Sequence, residues 1–170
     1  MKKALFIGRF QPFHLGHLDA IKQISENEII IGMGSSQYSG TDENPWSFEE
    51  RKKMIEESLT ACGQPIPPSG TSPYKGDDLI NLSNKNIKII AIPDIHDEDN
   101  WVTHVEKIVG DFDTVYTGNP HIKKLFEEKG YKVKNIEIKI NISGTELRQM
   151  IKENNKNYQK YIPKKICSIS

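Results

Sequence analysis

The sequence has few cysteines, no net charge and no long apolar segment, and each shortage excludes a class of protein. Its 170 residues include two cysteines, Cys62 and Cys167, which lie far apart. We therefore exclude a disulfide-stabilised fold and expect a reduced, cytoplasmic protein. Lysine plus arginine equals aspartate plus glutamate at 23 each, so no overall field attracts nucleic acid or an anionic membrane, and any anion site must be local. The apolar stretch near the amino terminus is too short for a signal peptide or a membrane span.

Strands and helices are predicted to alternate along the chain. Runs rich in apolar residues predict five strands, at 4–7, 28–33, 87–92, 114–116 and 131–140. Apolar spacing and capping residues predict helices over 17–24, 47–60, 100–109, 119–130 and 143–153. This order predicts a doubly wound, Rossmann-like α/β fold with about five parallel strands and helices on both faces.

We expect a single domain over residues 1–170 with two less regular parts. Prolines and glycines in 62–86 predict an insert or loop, and residues 154–170 predict a helical extension, with Pro163 opening a short helix. Ligands of doubly wound sheets bind outside the carboxyl ends of the strands, near the point where the strand order reverses. The first strand delivers residues 8–17 to that place.

The segment Gly8-Arg9-Phe10-Gln11-Pro12-Phe13-His14-Leu15-Gly16-His17 predicts an anion site. It puts two imidazoles at a helix start, with a glycine between them that allows close approach of a phosphate to the backbone. A histidine held against phosphate oxygens is biased toward its charged, doubly donating form, and Arg9 adds a permanent charge. The structural alternative is that His14 is a core residue and His17 a surface residue. Zinc is not favoured, because the other histidines (His96, His104 and His121) are scattered and no cysteine pair exists.

The segment Ile142-Ser143-Gly144-Thr145-Glu146-Leu147-Arg148 predicts a second anion site. It offers free backbone N–H groups, two hydroxyls and, one turn later, a guanidinium that suits β- and γ-phosphates. Alone, it would be an ordinary capping box of Ser143 and Glu146. Two anion-binding helix starts at the ends of parallel strands, however, form a geometry for one nucleoside triphosphate, and together they indicate nucleotidyl transfer.

Both segments resemble motifs of the HxGH nucleotidyltransferases, and the chain is similar in particular to the archaeal-type nicotinamide-nucleotide adenylyltransferases. The segments that carry this resemblance are Gly8–His17, Asn44–Arg51, Trp101–Val105, Thr117–Pro120 and Ser143–Arg148. The chain departs from the family pattern in its longer proline-rich insert and in Ile142, which stands where an aromatic residue often precedes the last motif.

The resemblance implies transfer of AMP from ATP to nicotinamide mononucleotide (NMN), which yields NAD and pyrophosphate in NAD biosynthesis. It also implies Mg²⁺ held mainly by phosphates rather than by protein side chains, and a homo-oligomer. The residues assigned on this basis are His14, His17, Arg9 and Arg148 for catalysis; Gly8, Phe10, Gly16, Asn119, Ser143, Gly144 and Thr145 for ATP; and Trp101, Arg51, Trp46, Asp94 and Asp97 for the acceptor.

Some of the residues assigned to ligand binding also have a purely structural interpretation. An indole face suits the pyridinium ring of NMN, which favours Trp101 and then Trp46; the less favoured alternative is that Trp101 is simply a core residue. Arg51 could be a solvated helix charge, and Asn119 could be only an N-cap. Two other functions stay open: adenylylation of another phosphorylated acceptor (nicotinic acid mononucleotide, pantetheine phosphate or FMN), and nucleotide sensing without turnover.

Overall fold

The computed structural model describes residues 2–61, 85–137 and 139–163. The predicted insert lies outside them except for its last two residues, and so does whatever follows Pro163. The elements are β1 (Lys3–Gly8), α1 (Leu15–Gln23), β2 (Glu28–Met33), α2 (Phe48–Ala61), β3 (Asn86–Ala91), α3 (Glu98–Val109), β4 (Thr114–Tyr116), α4 (Pro120–Glu128), β5 (Lys132–Lys134), α5 (Gly144–Lys152) and a 3-10 helix, Lys156–Lys160.

The described strands form one parallel sheet in the order β3-β2-β1-β4-β5. β1 is central: Ala4 pairs with Ile29 of β2 on one side and with Thr114 of β4 on the other. The chain winds outward from β1 to β3 and then restarts from β4 in the opposite direction, which puts the reversal of strand order beside β1. The predicted Rossmann-like fold is confirmed.

Side chains of β1 alternate between two hydrophobic cores. Ala4 and Phe6 pack with α1, α2 and the carboxyl-terminal helices, whereas Leu5 and Ile7 pack with α3 and α4. All four side chains are at most 4% exposed. A strand buried on both faces reads as a continuous apolar run, so the helices cover both faces of the sheet as predicted.

Polar caps set where the helices begin. Before α2, the Ser47 backbone N–H and hydroxyl donate to Glu50 Oε2 at 2.8 and 2.7 Å, and the Glu50 N–H donates back to Ser47 Oγ at 3.3 Å. Asp97 caps α3 by accepting from the backbone N–H of Asn100 at 3.2 Å. α3 therefore begins at Glu98, two residues earlier than apolar spacing alone predicts.

The fifth strand is much shorter than predicted. Sequence composition favours a strand over 131–140, but β5 spans Lys132–Lys134. Its neighbour β4 has three residues and so offers three backbone partners. Beyond β5, the backbone N–H and carbonyl of Glu137 are satisfied by the side-chain amide of Gln23 at 2.9 Å each. The chain therefore leaves the sheet early.

A buried carboxylate, Glu26, precedes β2. Tyr116 donates to its Oε2 at 2.8 Å, and Lys134 Nζ lies 3.3 Å from its Oε1. Burial would raise the pKa of Glu26, but hydrogen bonds from Tyr116, from its own backbone, and from Ser25 and Lys134 together lower that pKa to about 2. The group ties the start of β2 to β4 and β5.

The carboxyl-terminal segment packs against the start of α1. The carbonyl of Tyr161 accepts a hydrogen bond from the backbone N–H of Leu15 at 2.8 Å, and Ile162 is buried in the core below. The predicted extension therefore begins with a 3-10 helix that is in contact with the domain. None of the described helices is long and apolar enough to span a membrane.

Candidate active site

A cavity of about 840 Å³ lies at the carboxyl ends of the strands, where the strand order reverses. Gly34 and Ser35 reach it from β2, Asp94 from the loop after β3 and Thr117 from β4. Twelve of the residues proposed from the sequence line it: Gly8, Arg9, Phe10, His14, Gly16, His17, Asp94, Asp97, Trp101, Asn119, Ser143 and Gly144. Four others do not: Arg148, Thr145, Arg51 and Trp46.

The two segments that the sequence predicts to bind anions meet at this cavity, and residues of both line it. Arg148 Nη1 donates to the backbone carbonyl of Gln11 at 2.7 Å, which joins α5 to the loop after β1. A Cβ at Gly144 would lie 2.7 Å from that same oxygen, closer than side-chain carbons approach a backbone atom. Gly144 therefore permits the close approach of the two segments.

The start of α1 leaves one backbone donor available. The His14 N–H donates to His17 Nδ1 at 3.2 Å, the His17 N–H to the His14 carbonyl at 2.9 Å, and the Leu15 N–H to Tyr161. Among the described residues no acceptor meets the N–H of Gly16, which lines the cavity. A helix start with a free N–H favours an anion.

His14 and His17 stack with their ring centroids 3.7 Å apart, and His17 also lies against Phe10 and Phe13 at 4.8 and 5.5 Å. Burial lowers the pKa of His14 to about 4. Burial and then the charge of His14 lower the pKa of His17 well below its usual range. Both rings are therefore neutral at pH 7 in the free protein, and the charged form expected from the sequence requires a bound anion.

The start of α5 offers backbone donors rather than the hydroxyl expected at Ser143. The Ser143 hydroxyl donates to Glu146 Oε2 at 2.7 Å and accepts from the Glu146 N–H at 3.1 Å, so the capping box occupies it. Thr145 Oγ1 accepts from Arg148 Nη2 at 3.0 Å, which leaves its hydroxyl hydrogen available. In the part of the chain that the structure describes, the N–H groups of Gly144 and Thr145 have no acceptor.

Positive charge is concentrated at this end of the sheet. Burial and then the charge of Arg9 lower the pKa of Arg148, and Arg9 also lowers that of Arg51. The three guanidinium groups therefore lie within electrostatic reach of one another. The carboxylate of Glu43 lies 3.8 Å from Arg9 in an exposed pair. Because the chain has no net charge, an anion attracted here would respond to these local charges rather than to an overall field.

The residues predicted to bind the acceptor differ in their burial and in the contacts that they already make within the protein. Trp101 lines the cavity, is 9% exposed and meets Phe126 edge-on at 5.9 Å, so it is both a core residue and a cavity wall. Asp97 uses one carboxylate oxygen for the Asn100 backbone N–H and the other for the Asn100 side chain at 2.8 Å. Asp94, half-buried, accepts from the Ser35 hydroxyl at 2.6 Å and from the Ser35 N–H at 3.2 Å.

Arg51 lies elsewhere than the sequence suggested. It is fully buried, so it is not a solvated helix charge, and it does not line the cavity. Its guanidinium donates to four backbone carbonyls, those of Arg9, Gly34, Ser35 and Ser47, at 2.7, 2.9, 3.1 and 3.2 Å. With its donors used in this way it is not placed to bind the acceptor phosphate. Trp46 also lies outside the cavity, where its backbone bonds the side-chain amide of Gln11.

Several residues that the sequence reasoning did not assign to the site also line the cavity, among them Ser35, His121 and Lys139. Ser35 follows β2, so the rule that located residues 8–17 would have found it. His121 Nε2 lies 3.2 Å from Glu98 Oε1, which joins the starts of α4 and α3. Asn119 caps α4 through its Oδ1, at 2.9 Å from the His121 N–H, and its cap role alone accounts for that oxygen.

The described histidine and carboxylate side chains that line the cavity do not form a metal-binding cluster. Within residues 2–61, 85–137 and 139–163, no group of three or more histidine, cysteine, aspartate or glutamate side chains could hold a metal ion. His104, for example, is hydrogen-bonded to the carbonyl of Pro93 at 2.9 Å.

Comparison with known proteins agrees with this geometry. Residues 5–150 match the cytidylyltransferase-like family. The nicotinamide-nucleotide adenylyltransferase of Archaeoglobus fulgidus is 36% identical over 98% of this chain and 89% of its own, and that of Methanococcus aeolicus is 39% identical over 98% and 87%. This chain belongs to their family. As a nicotinamide-nucleotide adenylyltransferase family member, it is a nucleotidyltransferase of the cytidylyltransferase-like fold.

A solved structure from Francisella tularensis supports the assignment. It is a bifunctional NMN adenylyltransferase/ADP ribose pyrophosphatase complexed with AMP and a manganese ion. It is 27% identical with a TM-score of 0.62 over 95% of this chain, and this chain spans 44% of its length. The similarity therefore concerns less than half of that bifunctional protein.

Proposed function

We infer that this protein transfers the adenylyl group of ATP to NMN and produces NAD and pyrophosphate, a step of NAD biosynthesis. The observation that carries this proposal is the approach of two helix starts at one cavity, which Gly16 lines on one side and Gly144 on the other. Their N–H groups suit a single chain of phosphates. The names of the relatives support the choice of acceptor.

The reaction depends more on alignment of the two substrates than on a general base. The second pKa of a phosphate monoester is about 6, so the attacking oxygen of NMN is already largely ionised at neutral pH. That oxygen forms a bond to the α-phosphorus of ATP, while the bond from this phosphorus to the bridging oxygen breaks and pyrophosphate leaves with the electron pair. The protein's contribution is to hold both reactants in line and to stabilise the negative charge on the leaving group.

His17 is suited to stabilise that charge even when it is neutral. Its Nδ1 accepts the His14 N–H, so in the neutral ring the hydrogen is on Nε2, which can donate to a phosphate oxygen. A phosphate nearby raises the pKa of both histidines and favours their charged forms. Arg9 supplies permanent charge from the same loop, and Arg148 holds α5 against that loop while adding a second guanidinium.

We propose that a divalent cation, Mg²⁺ in particular, enters with ATP. The described residues provide no cluster of three ligands, and the Francisella relative is described with manganese, so phosphate oxygens are the natural ligands. When bound, the cation neutralises charge on the phosphates and on the leaving pyrophosphate.

On the acceptor side, Trp101 and Asp94 are our candidates. The indole of Trp101 is fixed by Phe126 and faces the cavity, where it can pack on the pyridinium ring. Asp94 accepts one hydrogen bond from Ser35 at each carboxylate oxygen, which leaves lone pairs for the ribose hydroxyls. Asp97 also accepts one bond at each oxygen, but both of these bonds come from Asn100 at the start of α3. A homo-oligomer, a single domain over 1–170 and a cytoplasmic location remain predictions; light scattering after size-exclusion chromatography tests the first.

The activity is tested by measuring pyrophosphate release from ATP with Mg²⁺ and each acceptor in turn. NMN should give stoichiometric NAD and pyrophosphate. Nicotinic acid mononucleotide, pantetheine phosphate and FMN are the comparison acceptors. A greater kcat/KM with another acceptor would replace NMN in the proposal, and release with none of them would indicate a nucleotide sensor.

A further inference from the structure

The buried guanidinium of Arg51 joins the segments that follow β1 and β2. Its Nη1 donates to the carbonyls of Arg9, just after β1, and Gly34, just after β2, and its Nη2 donates to the next carbonyl, that of Ser35. A planar fork of five N–H donors fits several carbonyls at once, whereas a lysine ammonium is a single point. The side chain therefore fixes the relative position of two loops that line the cavity.

The charge of Arg51 is retained in this buried place. Burial lowers its pKa to about 10, the charge of Asp94 raises it and that of Arg9 lowers it. The group is thus protonated at neutral pH and lies within electrostatic reach of a residue on each side of the cavity. Its neighbours at hydrogen-bond distance are backbone carbonyls.

Ser35 continues the connection toward the acceptor side. Its φ of 51° is in the left-handed region, which is uncommon for a residue other than glycine and has to be held by its surroundings. Arg51 holds its carbonyl, and Asp94 holds its N–H and its hydroxyl at 3.2 and 2.6 Å. Ser35 is therefore fixed from both ends, and it in turn orients the carboxylate of Asp94.

We propose that Arg51 and Ser35 are positioning residues that hold the loop after β1, on the phosphate side of the cavity, in a fixed position relative to Asp94 on the acceptor side. Arg51 acts through the carbonyls of Arg9 and Ser35. Ser35 acts through the carboxylate of Asp94. The inference rests on the proposed adenylyl transfer. It gives Arg51 a role on both substrates without direct contact with either, whereas a phosphate ligand would affect the acceptor alone.

Two variants test this, each with a matched control. Ser35→Ala removes the hydroxyl bond to Asp94 and keeps the carbonyl that Arg51 uses; Ser39→Ala, exposed in the same loop, is its control. Arg51→Lys keeps the charge but replaces the planar guanidinium, with its several N–H donors, by an ammonium group. Lys53→Ala, at an exposed position of the same helix, is its control. For each, kcat and both KM values are measured well below the thermal midpoint, and the midpoint is recorded.

Ser35→Ala should raise KM for NMN about tenfold, as expected for one lost charge-assisted bond, while KM for ATP stays within about twofold. Arg51→Lys should reduce kcat by about 100-fold and raise both KM values, because both loops shift. The double variant Ser35→Ala/Asp94→Asn should bind NMN no more weakly than Asp94→Asn, since Ser35 acts through that carboxylate.

Three outcomes would overturn the inference. The first is Arg51→Lys with a changed KM for NMN and normal kinetics toward ATP, which would make Arg51 a direct acceptor ligand. The second is a lowered midpoint with normal kcat, which would make its role purely structural. The third is an unchanged KM for NMN in Ser35→Ala, a variant that tests the idea even when Arg51→Lys fails to fold. Absence of turnover in the unmodified protein would instead refute the proposed function.

Discussion

Replacing Gly144 with alanine should damage both the activity and the stability of this protein. Gly144 is the first residue of α5, where alanine would ordinarily be favourable, by up to about 1 kcal/mol within a helix. Here, however, the added Cβ would lie 2.7 Å from the Gln11 carbonyl oxygen. That oxygen is also held by Arg148 Nη1 at 2.7 Å, so it is not free to move aside.

The size of the effect follows from these distances. Ordinary contact begins near 3.4 Å, so the helix start must retreat by about 0.7 Å. Overpacking of this kind costs about 1–3 kcal/mol in the free energy of unfolding. At about 2–4 °C per kcal/mol for a chain of this length, the thermal midpoint should fall by roughly 2–12 °C. Because a misplacement of about 1 Å can cost 100-fold in rate, we expect a loss of roughly 10- to 100-fold in kcat/KM for ATP.

The measurement is pyrophosphate release at saturating NMN and varied ATP, together with a thermal melt. Gln149→Ala is the control, because Gln149 is exposed on the same helix and bonds its neighbour Glu153 rather than the loop after β1. It should leave kcat/KM for ATP unchanged. Normal kinetics and a normal midpoint for Gly144→Ala would mean that the two segments do not approach as described, and the reasoning about a shared phosphate site would be wrong.

Three further predictions concern single side chains. His17→Ala should lower kcat by about 10²–10³-fold while circular dichroism shows an intact fold, because a donor to the leaving group is lost; unchanged turnover would exclude that role. Trp101→Ala should raise KM for NMN roughly tenfold with little change in KM for ATP, and it should lower the free energy of unfolding by about 3–5 kcal/mol through the cavity left beside Phe126; equal loss of affinity for both substrates would place the acceptor elsewhere. The pKa of Glu26, lowered to about 2 from its ordinary value, gives stability that is complete above about pH 4.5 and is lost as the pH falls toward 2. Urea titrations should show that the free energy of unfolding falls by on the order of 3 kcal/mol over this pH range, and Glu26→Gln should remove most of this pH dependence. An equally steep loss of stability at acid pH in that variant would show that Glu26 is not its source.

Local patterns in the sequence predicted much of the fold because the interactions they reflect are themselves local. The runs at Glu28–Met33 and Thr114–Tyr116 were assigned with the observed ends, and the capping box of Ser143 and Glu146 begins α5 as expected. Caps depend on residues three apart, and buried parallel strands on continuous apolar runs. The site at the carboxyl ends of the strands then followed from topology.

Features that depend on distant partners were not predictable in the same way. The length of β5 is set by β4, and the positions of Arg51 and Ser35 are set by loops that converge only in the folded chain. A sequence shows that an arginine stands one turn into a helix, but not whether it points to solvent, to a phosphate or to four carbonyls. The Ser143 hydroxyl illustrates the same point: its motif was recognised, while its partner is Glu146.

The contact between Arg148 and Gln11 joins residues 137 positions apart in the chain. A ribosome that makes this protein therefore completes the histidine-bearing loop well before its counterpart at the start of α5. Closing so long a stretch is entropically slow, so contacts of this kind form late in folding. Translation products that end before α5 should therefore not bind a triphosphate. ATP should stabilise the folded protein that contains α5 but not these shorter chains.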